Sequence, residues 1–364
     1  MSLQRLEISH FRNLHSATLE LDEGLNIITG ENAAGKTSLL EAIFYLSYGR
    51  SFRSTNSRQL IQLDQPWFRL IAQLQHPHTD QQQRIGIERQ ADQQLIRVNK
   101  QPLKRMSELA SLLPVLVLHP DSHQLISAGP EFRRQFMDWG VFHVEHQFIN
   151  HWKSYKTALS QRNAALRSSQ PARLCNLWNN ELVSSAQQIE QLRLRYLQKL
   201  QPVIEQLSAQ LFPGFVIELQ YKRGWPADIE YDEYLQRHLE KEREKGFTQS
   251  GPHRADIRIL VNGLSAQTSI SRGQQKALVA LLKIAQLSVF SQTSDTPCIL
   301  LYDDLPAELD QLNQNKIMQI LSGLNIQLVI SAIEAHQIDC SGWSRYKVFH
   351  VEQGKISLQT ATGE

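Results

Sequence analysis

The sequence has few of the features that mark secreted, disulfide-bonded or membrane proteins. Its 364 residues include only three cysteines, too few and too scattered for a disulfide framework or a zinc site: Cys175, Cys298 and Cys340. Apolar runs fall well short of the ~20 residues that a membrane span needs. Met1–Arg5 leads straight into an alternating, strand-like pattern, with no sign of a signal or transit peptide. We therefore expect a cytoplasmic protein without a membrane partner.

A strong charge of one sign is also missing. The 38 lysines and arginines nearly balance the 36 aspartates and glutamates, which gives a net charge of +2. This balance neither demands nor excludes a nucleic-acid partner, so any basic surface must be local. A hydrophobic content of 41% and a charged content of 20% are typical of globular proteins. The length allows more than one compact unit.

The first chemical motif is a glycine loop between a strand-like run and a helix-like segment. Leu25–Ile28 suits a buried strand, and Ser38–Ile43 has apolar residues at helical spacing. Between them lies a complete G-x-x-x-x-G-K-[ST] pattern, the Walker A loop: Gly30, Glu31, Asn32, Ala33, Ala34, Gly35, Lys36 and Thr37. Glycines let backbone N–H groups surround phosphates, lysine adds a positive charge, and the threonine hydroxyl can bind Mg²⁺. The loop predicts a site for ATP, or a close relative, with Mg²⁺.

A second acid for the metal is predicted near the end of the chain. Cys298–Tyr302 is an apolar run that ends in Asp303 and Asp304, the expected Walker B form. Asp303 would hold Mg²⁺, directly or through water, and Asp304 would position or deprotonate the attacking water. An apolar run that ends in acids is common in proteins. It indicates a Walker B motif here because it follows a complete Walker A loop. The predicted catalytic residues are Lys36, Asp303 and Asp304, and the predicted metal ligands are Thr37 and Asp303.

A third segment opens a predicted helix shortly before Walker B: Ser271, Arg272, Gly273 and Gln274. Ser271 has the character of an N-cap, and the backbone at Gly273 can approach a phosphate closely. A helix N-terminus with a free hydroxyl can bind a γ-phosphate. Taken alone, the segment is better explained as an ordinary helix cap.

The middle of the chain has a different pattern. From about residue 122 to 211, apolar residues recur three or four apart, as in Ile189, Leu192, Tyr196 and Leu200, which predicts a seam between packed helices. Ser168–Pro171 is a predicted break between two of them, and strand-like alternation returns beyond residue 216. We expect an α/β ATPase head with mixed and parallel sheets, made of residues 1–122 and 246–364. A mainly helical domain at 123–245 would interrupt it.

These motifs in this order resemble the ABC-type ATPase heads of SMC-like DNA proteins. An Ala307–Asp310 loop after Walker B adds to the resemblance. More narrowly, the chain resembles the RecF family of recombination mediators, and three further segments carry that similarity: Gly49–Ser54, Pro120–Asp138 and Gly251–Arg254. The similarity extends from about residue 3 to about residue 340.

The resemblance implies a nucleotide site shared by two subunits. The Walker A loop of one subunit would hold ATP and Mg²⁺. The segment Ser271–Gln274 of the other would close over the γ-phosphate, so that ATP joins a head-to-head homodimer. Asp310 would lie in the loop that crosses this interface, and Arg12 matches an arginine that reaches the nucleotide in related heads.

The chain departs from the wider ABC pattern at two places. Ile330–Ala332 stands where many heads carry a switch histidine, and His119–Asp121 stands where they carry a glutamine. The RecF pattern is similar at both places. Without the histidine, hydrolysis is expected to be slow, which suits a switch better than a motor.

The resemblance also implies a role in recombinational DNA repair and replication restart. The ATP-joined dimer would bind duplex DNA at single-strand gaps, help RecO and RecR load RecA onto strands covered by SSB, and be released by slow, DNA-stimulated hydrolysis. The residues alone say less about DNA. The stretch 123–212 has ten lysines and arginines against six acids, an excess that solvated helix faces also explain. His253 beside Arg254 favours a structural role over a catalytic one.

Two other functions use similar motifs. A membrane-transporter ATPase subunit has the same three motifs, but the helical insertion of ~90 residues between Walker A and the signature segment separates this chain from that class. A P-loop kinase for a small molecule is the second alternative. It does not need a second subunit to contact the γ-phosphate, so the signature segment argues against it.

Overall fold

The computed structural model describes residues 1–76, 79, 81–168, 173–308 and 310–359. The chain divides into two compact units: unit 1 comprises Met1–Ser122 and Lys276–Glu364, and unit 2 comprises His123–Gln275. Within the described ranges, no helix combines the length and apolarity of a membrane span.

The strands of the described residues are, in chain order, β1 (Ser2–Phe11), β2 (Leu14–Glu20), β3 (Leu25–Thr29), β4 (Trp67–Gln75), β5 (Gln82–Gln90), β6 (Gln94–Val98), β7 (Gln101–Pro102), β8 (Val115–Leu118), β9 (Ile217–Lys222), β10 (Asp256–Val261), β11 (Leu264–Ser265), β12 (Cys298–Tyr302), β13 (Ile326–Ser331), β14 (Tyr346–Glu352) and β15 (Lys355–Gln359). The helices are α1 (Lys36–Tyr48), α2 (Met106–Leu112), α3 (Gln124–Ser127), α4 (Pro130–Val144), α5 (Phe148–Arg167), α6 (Arg173–Asn176), α7 (Asn179–Leu211), α8 (Tyr231–Arg237), α9 (Leu239–Lys245), α10 (Ala266–Ser269), α11 (Arg272–Thr293), α12 (Leu305–Glu308) and α13 (Gln311–Ser322).

Unit 1 is built on two six-stranded sheets. One is antiparallel, in the order β2-β1-β4-β5-β6-β7, and the other has the order β15-β14-β3-β13-β12-β8. In the second sheet all neighbours are parallel except β14 and β15. Helix α1 shares one core with both sheets, and its predicted apolar face, Leu39, Leu40 and Ile43, is fully buried there. This is the mixed α/β arrangement that the sequence predicts.

The parallel strands place the predicted chemistry at one edge of the sheet. β3, β13 and β12 are buried along their whole length, as expected for strands covered on both faces. The register pairs Tyr302 with Ile330 and Ser331 with Ile28. The strand ends that lead into the Walker A loop and the Walker B acids therefore lie at the same edge of the sheet, on either side of the end of β13.

Unit 2 combines helices with a three-stranded antiparallel sheet, β11-β10-β9. The predicted seam residues Ile189, Leu192, Tyr196 and Leu200 are at most 2% exposed, which confirms their core role. Asn262 and Gly263 have positive φ angles and join β10 to β11 as a tight hairpin turn. Unit 2 continues past the expected boundary at residue 245 to Gln275, because β10 and β11 form a sheet with β9, which lies before that boundary. Of the predicted break, Ser168 follows α5, and residues 169–171 lie outside the described residues.

Buried ion pairs use several of the basic residues in the helical stretch. Arg162 is fully buried and donates to Glu242, Asn179 and Thr248. Arg193, also fully buried, donates to both carboxylate oxygens of Asp138 at 2.9 and 3.0 Å. These side chains cannot contact phosphate groups from the surface. Arg162 and Arg193 therefore add to the basic excess of this stretch without forming part of a DNA-binding face.

Replacing Arg162 by methionine is expected to destabilise the protein strongly, because the Glu242 carboxylate stays buried without its cation. The free energy of unfolding in urea should fall by about 3–5 kcal/mol. The double variant Arg162→Met/Glu242→Met should recover much of that loss. Lys199→Met, at the exposed pair with Glu145, is the control and should cost less than about 1 kcal/mol. Equal losses for the two single variants would contradict the assignment.

The Gly251–Arg254 segment is a packing centre of unit 2. Gly251 has a φ of +121°, and a Cβ there would collide with the Tyr155 hydroxyl. The His253 ring has both nitrogens in hydrogen-bond contact, with the Tyr155 hydroxyl at 2.6 Å and the Thr248 carbonyl at 3.3 Å. The pKa of His253 is lowered to about 4, mainly by burial and also by the nearby cations Arg254, Lys156 and Arg134, while the hydrogen bond to Thr248 opposes the shift. The ring is held as a neutral structural group, in line with the role that the sequence favours.

The stability of the protein is expected to fall on acidification through His253. Because its folded-state pKa is lower than the ordinary value, the unfolded chain takes up the proton first, so stability is complete above pH ~6.5 and falls towards pH ~4. Between pH 7 and pH 5 this group should remove about 2 kcal/mol of unfolding free energy. Urea unfolding of the wild type and of His253→Gln at both pH values checks this. The loss through the buried His143 is common to both proteins, so identical pH profiles would refute the role of His253.

Candidate nucleotide-binding site

The Walker A loop has a backbone that only glycine adopts easily at its two ends. Gly30 has a φ of +142°, and a Cβ there would collide with the Val351 carbonyl oxygen. Gly35 has a φ of +126°, and its Cβ would lie 3.0 Å from Leu14. Helix α1 begins directly after Gly35 without a side-chain cap and without an acid in its first turn. Its positive end therefore faces the loop, as in sites that bind phosphate.

One side chain and one backbone N–H hold the loop from behind. Asn13 donates to the carbonyl oxygens of Ala33 and Ala34 at 3.4 and 3.2 Å, and it accepts from the Ser38 hydroxyl at 2.8 Å. The N–H of Gly354, in the turn between β14 and β15, also donates to the Ala34 carbonyl, at 3.0 Å. No local sequence pattern predicts these supports, because Asn13 and Gly354 are distant from the loop along the chain. Glu31, Asn32 and Ala33 are exposed on the outer side of the loop.

Lys36 folds back over the loop. Its ammonium group donates to the carbonyl oxygens of Gly30 at 2.6 Å and Glu31 at 2.9 Å. Two bonds leave one N–H of the group for a further acceptor. Burial lowers the pKa of Lys36, and the carboxylates of Asp304 and Asp303 oppose that shift. The side chain is placed where a phosphate group bound by the loop would meet it.

The predicted metal ligands lie next to each other. The Thr37 hydroxyl donates to the two carboxylate oxygens of Asp303 at 3.1 and 3.0 Å. Burial raises the pKa of Asp303, while hydrogen bonds from Ser331 and Thr37 lower it. A hydroxyl and a carboxylate suit Mg²⁺, which usually takes one or two protein oxygens, with phosphate and water completing the shell. In keeping with this, the described residues contain no cluster of three or more His, Cys, Asp and Glu side chains that could hold a metal on their own.

Ser331 joins the two Walker B acids. Its hydroxyl donates to Asp303 at 2.8 Å and accepts from the backbone N–H of Asp304, also at 2.8 Å. Asp304 has a φ of +58°, a left-handed conformation that a non-glycine residue rarely adopts. In the sequence, Ser331 is only the middle residue of Ile330–Ala332, which stands where many heads carry a switch histidine. The signal that could have identified it is its position at the end of the strand next to Walker B.

Arg12 lies against α1 through a buried carboxylate. Its guanidinium donates to both oxygens of Glu41 at 2.9 and 2.8 Å, and to the Gln59 carbonyl at 3.1 Å. Glu41 is fully buried, accepts a hydrogen bond from Ser51 and lies 4.0 Å from Arg53. The expected role of Arg12 as a nucleotide contact stays a prediction, because the structure shows this guanidinium engaged with Glu41. Glu41 also ties the Gly49–Ser54 segment to the Walker A helix.

The signature segment belongs to unit 2. The Gln274 N–H donates to the Ser271 hydroxyl at 3.3 Å, and the Ser271 N–H donates to the Gln274 side chain at 2.9 Å. This reciprocal capping box confirms Ser271 as the N-cap of α11. Ser271, Arg272, Gly273 and Gln274 are all exposed. In unit 1, Asp310 caps α13 by accepting from the Asn313 N–H at 3.0 Å, a bond that lowers its pKa. Leu309 of the same loop lies outside the described residues.

The structure thus brings together four of the predicted residues, Lys36, Thr37, Asp303 and Asp304. They lie at the carboxyl edge of the parallel sheet and at the start of α1. The arrangement can bind a phosphate chain with a divalent cation and can place a carboxylate beside it.

Comparison with known proteins agrees with this geometry. The family model described as RecF/RecN/SMC N terminal domain matches residues 2–357. The chain is 41% identical over 360 residues to "DNA replication and repair protein RecF" of Shewanella loihica, covering 98% of this chain and 99% of that protein. It is 39% identical over 358 residues to the protein of the same name from Thioalkalivibrio sulfidiphilus, with the same coverage.

Solved structures are similar over almost the whole chain. The structure of "the recombination mediator protein RecF-ATP in RecFOR pathway" aligns with a TM-score of 0.86 at 25% identity, covering 99% of this chain and 98% of that one. An SMC head bound to the C-winged helix domain of ScpA aligns with a TM-score of 0.61 at 15% identity, which shows a shared fold alone. These matches confirm the predicted ATPase-head fold. The chain belongs to the RecF/RecN/SMC family and, within it, to the RecF proteins of DNA replication and repair.

Proposed function

We propose that this protein is an ATP-dependent DNA-binding switch that closes as a homodimer on duplex DNA at single-strand gaps. The observation that carries the nucleotide part is the Thr37–Asp303 pair, at 3.0 Å, beside the uncapped start of α1. It supplies oxygen ligands for Mg²⁺ next to a phosphate cradle. The similar RecF structure holds ATP, which supports ATP as the nucleotide.

The chain's own residues divide the chemistry among them. The loop N–H groups and Lys36 bind and orient the phosphates, and Thr37 and Asp303 hold Mg²⁺, which neutralises charge on the phosphate oxygens when it is bound. Asp304 orients the water molecule for in-line attack. Hydrolysis is slow because Ile330–Ala332 stands where many heads carry a switch histidine, so the γ-phosphate lacks that contact. Slow hydrolysis suits a switch, because the proposed dimer stays closed for as long as its ATP is intact.

The exposed signature segment supports an ATP-joined dimer. Ser271–Gln274 is exposed, and its capping box fixes the start of α11 with an N-terminal dipole directed outwards. In the proposed dimer this helix start contacts the γ-phosphate held by a second copy. ATP then acts as a ligand of the closed dimer and shifts the equilibrium by its extra affinity for that state.

Ser271→Arg is expected to leave ATP binding nearly intact and to prevent ATP-driven dimerisation, because a long cationic side chain replaces the hydroxyl at the interface. Light scattering after size exclusion, with and without ATP, measures the mass. Lys36→Ala, by contrast, should lose both nucleotide binding and dimerisation. Thr268→Arg, three residues earlier and also exposed, is the matched control and should dimerise like the wild type. A Ser271→Arg protein that dimerises with ATP would sink the shared-site model.

One face of the antiparallel sheet in unit 1 is the best candidate for DNA contact. Arg84, Arg97 and Lys100 are exposed and line a shallow groove of about 260 Å³. Arg97 lies opposite Gly86, where a Cβ would meet nothing within 4 Å, so the floor of the groove is open. Among the described residues, no ion pair is formed by any of these three cations. They are free to contact phosphates, unlike Arg162 and Arg193 of unit 2.

The triple variant Arg84→Gln/Arg97→Gln/Lys100→Gln should bind duplex DNA more weakly and with less dependence on salt. Each lost phosphate contact should make the slope of log affinity against log salt shallower by about one. Fluorescence anisotropy of a gapped duplex with ATP, at several salt concentrations, measures both effects. The control changes Lys241, Lys245 and Lys355 to Gln, which removes the same charge at other exposed positions. An unchanged slope in the test variant would rule this face out.

Partners follow from the pathway named for the similar structure. We propose that the closed dimer acts with RecO and RecR, helps load RecA onto SSB-covered strands, and does so in the cytoplasm. The two alternative functions, transporter ATPase subunit and small-molecule kinase, have no specific observation in their favour. We propose that residues 123–245 form a functional domain inserted in the head, as expected from the sequence. The compact unit 2 of the structure is longer and comprises His123–Gln275.

A further inference from the structure

The segment after β13 connects the two halves of the nucleotide site. Ser331 ends β13 and is paired in register with Ile28, just before the Walker A loop. Two residues later, the Ile333 carbonyl accepts a hydrogen bond from the Gly30 N–H at 3.2 Å. The hydroxyl of Ser331 points to the other side, toward Asp303 and Asp304. Three consecutive residues thus contact both Walker motifs.

The hydrogen-bonding capacity of Ser331 decides what it can do. A serine hydroxyl has one proton to donate and two lone pairs to accept with. The proton is directed to Asp303 at 2.8 Å, and a lone pair accepts from the Asp304 N–H at 2.8 Å. The side chain is fully buried. It therefore has no proton left for a phosphate oxygen unless it releases Asp303.

The bond to Asp304 explains an unusual backbone. Asp304 has a φ of +58°, a left-handed conformation that is unfavourable for an L-residue. Such a conformation persists when the surroundings fix it. The hydrogen bond from its N–H to Ser331 is one such restraint, and the bond from the Asp303 N–H to the Leu118 carbonyl at 2.8 Å restrains the preceding residue.

We propose that Ser331 is the positioning residue of the Walker B pair. It turns the Asp303 carboxylate toward Thr37 and holds Asp304 in the conformation that presents its side chain to the attacking water. It makes no contact with the nucleotide. Many ABC-type heads carry a phosphate-sensing histidine in this region. Here, Ser331 instead positions the metal ligand Asp303 and the base Asp304. This inference rests on the proposed ATPase function.

Ser331→Ala removes both hydrogen bonds, and Ser331→Thr keeps the hydroxyl. Loss of a partner that orients a metal ligand typically costs 10–100-fold in metal affinity or activity. For Ser331→Ala we expect the Mg²⁺ concentration for half-maximal binding of a fluorescent ATP analogue to rise about 10-fold or more. We expect kcat for ATP hydrolysis to fall by a similar factor. Binding of the analogue in EDTA should stay within about twofold of the wild type, because the hydroxyl does not contact the nucleotide.

Controls separate positioning from general damage. Ser331→Thr should stay within about threefold of the wild type in both measurements, and Ser331→Cys, a similar size with a weak donor, should fall between Thr and Ala. Ser288→Ala removes another buried hydroxyl of unit 1, which bonds only within α11 at 3.0 Å, and should change neither measurement. Thermal unfolding reports on the fold of each variant, and the Thr and Cys variants carry the test if the Ala variant does not fold.

Two results would overturn the proposal. Weaker binding of the analogue by Ser331→Ala in EDTA would mean that the hydroxyl contacts the nucleotide. An unchanged Mg²⁺ requirement together with an unchanged kcat would mean that Ser331 is a bystander. Failure of the proposed function is a different outcome: a wild-type protein without ATPase activity would refute hydrolysis, while the Mg²⁺ titration would still test Ser331.

Discussion

The hydrogen bond between Thr37 and Asp303 is the contact on which the rest of the candidate site depends. It joins residues 266 positions apart in the chain, at the start of α1 and at the end of β12. It forms because β3, β13 and β12 lie next to each other and are buried throughout, so that their ends meet at one edge. Burial of the sheet supplies the stability, and the polar strand ends supply the chemistry. A charged carboxylate is tolerated there because hydroxyl groups donate to it from two sides.

Much of the site could be predicted from local sequence. The Walker A loop is a contiguous pattern whose spacing is fixed by the geometry of one turn, and an apolar run before two acids indicates Walker B for the same reason. The N-cap role of Ser271 also follows from neighbouring residues. What could not be predicted depends on strand register and on distant side chains. Ser331 gains its role only because β13 lies beside β12, and Arg12 lies on Glu41 because a β-turn packs on the Walker A helix.

The number of charged residues along the sequence was the poorest predictor of a DNA-binding surface. The helical stretch has an excess of basic residues, yet Arg162 and Arg193 are buried in ion pairs. The exposed cations of unit 1, Arg84, Arg97 and Lys100, are dispersed over two strands and the following turn, so no local sequence pattern marks them.

The boundary between the two units was also not predictable from local sequence. β10 and β11 lie in the stretch 246–364 that the sequence assigns to the head, but they form one sheet with β9 in unit 2, which extends to Gln275.

The support of the Walker A loop by Gly354 has a consequence for how the protein matures. The Gly354 N–H bonds to Ala34, and a side chain at Gly354 would collide with the Asn13 carbonyl oxygen. The loop is synthesised before β13 and Gly354, because both follow it in the chain. A nascent chain on the ribosome therefore carries the complete motif without its framework. The conformation of the loop in the folded protein therefore depends on residues that are synthesised after it.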